Sequence, residues 1–216
     1  YVPVLTKAFQ KKNEQNDDVE NTDQLASFFF RWVMPKSGWE FYGEWGYNDY
    51  NQNIRDYAMD ATHSVAYILG ASKLIKTGKH QILFGIETLK QSETPSNLLR
   101  GAGNWYVHGG DNGYTHLNQI LGAGVGYGAD LQSAWFKISN SASNFSFKIS
   151  TDRVQRDPNN FQNRWIDMIW QVEPIWKSRH LTISSSICYI SSINYLWEIN
   201  RDASNWQTRL SVYFSL

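Results

Sequence analysis

Between Trp39 and Asp49 the chain reads WEFYGEWGYND, and its side chains alternate with a period of two. Trp39, Phe41, Gly43, Trp45 and Tyr47 are aromatic or small, whereas Glu40, Tyr42, Glu44 and Asn48 are polar. A strand places successive side chains on opposite faces, so the stretch predicts a β-strand with one greasy and one wet side. A soluble sandwich turns the greasy side inward. A membrane barrel turns it outward, with Trp39 and Tyr47 near the two interfaces and Glu40 and Glu44 facing an aqueous interior.

The same alternation recurs along the chain. Phe145, Phe147 and Ile149 alternate with Ser146, Lys148 and Ser150; Trp206, Leu210, Val212, Phe214 and Leu216 alternate with Gln207, Arg209, Ser211 and Ser215. About nine strands are expected, near 25–34, 39–48, 64–75, 81–90, 131–139, 145–153, 165–176, 181–193 and 206–216. Pro174 lacks a ladder donor and is expected to mark a bulge or strand end. Short connectors (35–38, 76–79, 140–144, 177–180) alternate with long ones (49–63, 91–130, 154–164, 194–205). Tight turns at one end and long loops at the other describe an outer-membrane barrel. Bacterial barrels have even strand numbers, so an odd count is expected to be the C-terminal half of a larger barrel of roughly 18 strands. Residues 1–24 are expected to be a polar extracellular loop and 25–216 the barrel portion. The chain starts at Tyr1 with no Met or leader, and is expected to be a processed or truncated product.

Composition narrows the partners. With 20 basic and 20 acidic residues the formal charge is zero, which offers no electrostatic footprint for nucleic acid. The single cysteine, Cys188, excludes an internal disulfide and a Cys-rich metal site. No apolar run approaches the length of a spanning helix, while ten Trp, twelve Tyr and eleven Phe suit a barrel that spreads its apolar face over alternate positions.

The segment Gln91 to Asp130 has no strand pattern of its own, and structureless segments of that length commonly bind or plug something. Trp105, Tyr106, Tyr114 and Tyr127 offer flat faces for sugar C–H groups, and Asn112, His116, Asn118 and Gln119 offer hydrogen bonds to hydroxyls. These residues equally suit packing of the loop against the barrel wall. GAGVGYG (122–128) lacks the strand–turn–helix context of a dinucleotide loop and is expected to serve loop folding. Asp49, Arg55, Asp56 and His63 are expected to structure the preceding long loop. Glu40, Glu44, Glu87, Asp167 and Glu173 are expected to face Arg31, Lys137, Lys148 and Arg209 across the interior, neutralising one another or lining a solute path.

The runs FYGEWGYND (41–49), IRDY (54–57), HSVAYILG (63–70) and GYTHLNQILGAGVGYGAD (113–130), with the closing strands, resemble the C-terminal half of capsule assembly proteins of the Wzi type, especially their Bacteroidota branch. The similarity runs from about Leu25 to Leu216. It implies an outer-membrane barrel without enzymatic activity that handles capsular or other surface polysaccharide, as the lectin-like enterobacterial members do, amid outer-membrane lipid and other outer-membrane proteins. The alternatives are a porin-like diffusion channel and an outer-membrane hydrolase. For the hydrolase, Glu44 with Asp49, His63 with Ser64 and His116 with Asp111 are fragments without a nucleophile motif. His108 and His116 specify no third ligand, so neither a metal nor a cofactor is expected.

Overall fold

The computed structural model describes residues 25–48, 65–92, 105, 115–116, 119–120, 122–126, 128–140, 142, 144–156 and 163–214. They form β1 (Leu25–Met34), β2 (Trp39–Asn48), β3 (Val65–Thr77), β4 (His80–Lys90), β5 (Thr115–His116), β6 (Gln119–Ile120), β7 (Ala129–Asn140), β8 (Phe145–Arg156), β9 (Trp165–Lys177), β10 (Leu181–Ile193) and β11 (Ala203–Phe214). One short 3-10 turn, Tyr195–Trp197, precedes β11. Nine strands make a single antiparallel sheet in the order β1-β2-β3-β4-β7-β8-β9-β10-β11, and β5 pairs with β6 apart from it. β1 and β11 are its two edges and do not pair with each other. Residues 1–24 lie outside the described residues.

Register carries the alternation across the whole sheet. Trp45, Tyr67 and Lys90 fall in one row, and Phe84, Phe136, Ile149, Val172, Ile187 and Thr208 fall in another, all on one face. The opposite face carries rows such as Gly85, Trp135, Ser150, Gln171, Cys188 and Gln207. The apolar face is the accessible one: Phe28, Trp206 and Leu210 are 71%, 67% and 72% exposed. Charged side chains on that face, Lys73, Lys90, Asp130 and Arg153, sit near strand ends, Lys73 with its ammonium 5.0 Å from the Trp39 ring. Aromatic clusters flank the middle. Trp32, Phe41, Trp39 and Phe84 contact one another towards the tight turns, and Trp170, Tyr189 and Trp206 stack across β9, β10 and β11 towards the long loops.

A dry core is missing among the described residues. Their buried apolar side chains are Leu89, Trp105, Ala129 and Val154, and the two large ones keep some exposure. A soluble sandwich would hide its large aromatics between two layers, so this single sheet follows the barrel alternative.

Several expectations need correction. β7 begins at Ala129 rather than Leu131, β8 runs on to Arg156, and β11 begins at Ala203 rather than Trp206. Polar residues occupy both faces at those ends, so alternation fades while backbone pairing continues. The segment 91–130 is not without structure, since β5 and β6 lie in it. Pro174 neither bulges nor ends its strand: β9 continues to Lys177, pairs Pro174 with Phe147 of β8, and keeps one register with β10 on both sides of the proline. The missing amide interrupts only the pairing between Ile175 and Val172 on the β10 side.

Candidate functional site

The polar face is built from cross-strand pairs. Arg31 Nε meets Glu40 Oε1 at 2.5 Å, and Lys148 Nζ meets Glu173 Oε2 at 3.0 Å. Tyr42 donates to Glu87 Oε2 (2.6 Å), Ser133 to Asp152 (2.5 Å), and Gln171 Nε2 to Glu173 and Ser186 (2.9 Å each). These bonds compensate charged groups of this face pair by pair. Lys137 lies directly opposite Lys148, and neither it nor Arg209 has an ion-pair partner among the described residues. The expected mutual neutralisation therefore holds for Glu40 and Glu173, while Glu87 and Asp167 take other partners.

Two carboxylates organise the end that bears the long loops. Asp130 accepts the backbone amides of Gln91 and Ser92 on Oδ1 (2.9 Å each) and the Ser92 hydroxyl on Oδ2 (2.8 Å), which fixes the exit of β4 against the start of β7. Asp167, 5% exposed, accepts from Trp165 Nε1 (2.6 Å), Ser192 Oγ (2.6 Å) and Arg156 Nε (3.1 Å). The Arg156 guanidinium also lies over the Trp165 ring and donates to Val125 O (2.8 Å), while its own backbone carbonyl accepts from Trp197 Nε1 (3.2 Å). Trp165 in turn packs edge-on against Tyr195 and Trp197. One buried carboxylate thus ties β8, β9, β10, the turn before β11 and the segment around Val125 together.

That segment helps to close a cavity of about 430 Å³ on the polar side of β1 to β4, where Ser27, Glu44, Gly46, Gln91, Trp105 and Ala123 are among its walls. Trp105 is buried, and its ring edge lies 3.2 Å from where a β-carbon on Gly46 would be. Glu44 is exposed and has no hydrogen-bond or ion-pair partner among the described residues. Gln91 is 2% exposed, and its Oε1 accepts no hydrogen bond. An unsatisfied buried acceptor costs about 1–3 kcal/mol. The exposed, unpaired Glu44 carboxylate beside an aromatic wall is suited to a ligand rich in hydroxyl donors.

Of the residues singled out from sequence, Trp105 and Glu44 come together at this cavity and Glu40 joins Arg31 elsewhere on the same face. His116 and Gln119 are backbone partners in the β5–β6 pair. Tyr106, Asn112, Tyr114, Asn118, Asp49, Arg55 and His63 lie outside the described residues. Gln91, Ser27, Asp130 and Arg156 carry no sequence motif. Their roles arise only once register brings separate strands together.

No protein-family model matches the chain, and no curated protein matches it. Among solved structures, the chain is similar to one described as Wzi, an outer membrane protein involved in group 1 capsule assembly in Escherichia coli, a carbohydrate-binding β-barrel. The identity is 16% and the TM-score 0.65. The match covers 89% of this chain and 42% of that one, so this chain spans less than half the length of the barrel it matches. Likeness at this identity speaks to the fold, and the fold shared is the antiparallel wall of a β-barrel.

Proposed function

We propose that this chain is the C-terminal part of a larger outer-membrane β-barrel of roughly 18 strands, belonging to the Bacteroidota branch of the Wzi-type capsule assembly proteins. It binds capsular or other surface polysaccharide at the end that bears the long loops and catalyses no reaction. The membrane placement is supported by the dimensions of the apolar face. Ile166 to Trp176 spans ten steps along β9, about 33 Å of strand, which a tilt of about 40° reduces to about 25 Å, the height of a barrel's lipid-facing band.

The observation that carries the binding role is the cavity in which unpaired Glu44 stands beside Trp105. Purified protein in detergent should retain polysaccharide extracted from the surface of its source cell. Trp105→Ala should weaken retention about tenfold, the effect of losing an aromatic contact and its buried area. Retention unchanged by that substitution would remove the cavity from the reading, and no retention at all would remove the polysaccharide.

A further inference from the structure

The polar groups of the cavity are unequal in sign. Glu44 contributes acceptors only, and the Ser27 hydroxyl donates as well as accepts. Among the described residues that line it there is no Lys, Arg or His. Two described cations of the neighbouring strands are engaged elsewhere: Arg31 binds Glu40, and Lys90 Nζ donates to Ser92 O (3.0 Å) and Ser92 Oγ (2.9 Å). Apolar walls come from Ile68, Leu89 and Trp105. At about 430 Å³ the space falls within the range of small-ligand sites, roughly 300–1,000 Å³.

A sugar that enters this space meets the Glu44 carboxylate, which has no cationic partner among the described residues. Hydroxyl groups or an ammonium supply the donors that the Glu44 carboxylate can accept. A uronate or other acidic substituent would place a second negative group near Glu44, and like charges across an interface discriminate strongly against the wrong partner. We infer that this cavity is a subsite for one neutral or amino-bearing sugar unit, and that Glu44 is the residue that excludes acidic sugars from it. The inference rests on the polysaccharide-binding reading and specifies which unit of the polymer the cavity takes.

The test is equilibrium dialysis of the whole barrel protein, of which this chain is the C-terminal part, in detergent against three probes of equal ring number: cellotriose, the chitosan trimer and trigalacturonate. The wild-type protein should bind the first two at least about tenfold more tightly than the third. Glu44→Gln should bring trigalacturonate to within about twofold of cellotriose, and Glu44→Lys should invert the order. Glu44 is exposed and unpartnered, so both variants should retain the heat-resistant gel mobility of the folded barrel. A wild type that binds trigalacturonate as tightly as cellotriose, or a ratio unmoved in Glu44→Gln, overturns the inference. If surface polysaccharide is retained but none of the trimers binds, the subsite falls while the polysaccharide reading stands; if neither is bound, both fall.

Discussion

Tyr42 reaches Glu87 by lying across Gly70: its hydroxyl is 2.6 Å from Glu87 Oε2, and a β-carbon on Gly70 would stand 2.1 Å from its ring. β2 and β4 are thereby joined over the intervening β3, where only a residue without a side chain leaves room. Gly70→Ala should destabilise the barrel by about 2–3 kcal/mol through overpacking and loss of a charge-assisted bond. Tyr42→Ala should make the alanine at 70 nearly neutral, because the obstruction is gone. Urea unfolding of the four proteins from lipid vesicles measures the cycle, and additive effects would mean that the ring has another route to Glu87.

Val172 and Gln171 are neighbours that report on opposite environments. Val172 sits in the apolar row between Ile149 and Ile187, while Gln171 donates to Glu173 and Ser186 on the polar face. Val172→Lys should cost about 2–4 kcal/mol, the range for a cation placed at mid-bilayer on the lipid side. Gln171→Lys should cost under about 1 kcal/mol, since its ammonium gains Glu173. Vesicle-based unfolding of both variants checks the contrast, and equal costs would deny that the apolar face meets lipid.

These neighbours also explain how far a reading of the sequence reaches. A period of two is legible wherever one face must be apolar along its length, as from Phe145 to Ile149, and there the sequence indicates strand, face and partner turn together. At the ends with long loops, Arg153, Gln155 and Arg156 occupy both faces because both meet water or polar groups, and alternation carries no information about where β8 stops. The cavity is less legible still. Gln91 and Trp105 come from one long connector while Ser27 and Glu44 come from β1 and β2, and nothing in sequence spacing brings them together before the register is known. Trp105 and Glu44 attract notice as residue types; Gln91 does not.

Asp167 has three donors and little water, so its loss should be felt across several strands. Asp167→Ala leaves Trp165 Nε1, Ser192 Oγ and Arg156 Nε without their acceptor, and should lower stability by about 2–4 kcal/mol. Arg156→Lys should cost less, about 1–2 kcal/mol, because charge is kept while the fork that serves both Asp167 and Val125 O is lost. Near-ultraviolet circular dichroism should register the release of Trp165 and Trp197 from their edge-on contact in Asp167→Ala. An unchanged aromatic spectrum would place the clasp elsewhere.

Asp130 touches no ligand in the proposed arrangement, yet it holds Gln91 and Ser92 in place through one backbone bond from each to a single oxygen. Gln91 N and Ser92 N both donate to Oδ1, whereas Oδ2 receives only the Ser92 hydroxyl, which can rotate to accept instead. Asp130→Asn, with its carbonyl oxygen at the Oδ1 position, preserves the two backbone bonds and offers an amide donor to that hydroxyl. It should cost under about 1 kcal/mol and leave polysaccharide retention within twofold of wild type. Asp130→Ala removes all three acceptor interactions, frees the chain at Gln91, and should cost about 2–3 kcal/mol together with a fivefold or greater loss of retention. The pair separates a positioning role from a charge role. If Asn and Ala reduce retention equally, the negative charge of Asp130 matters to the glycan directly, and Gln91 is not the residue through which it acts.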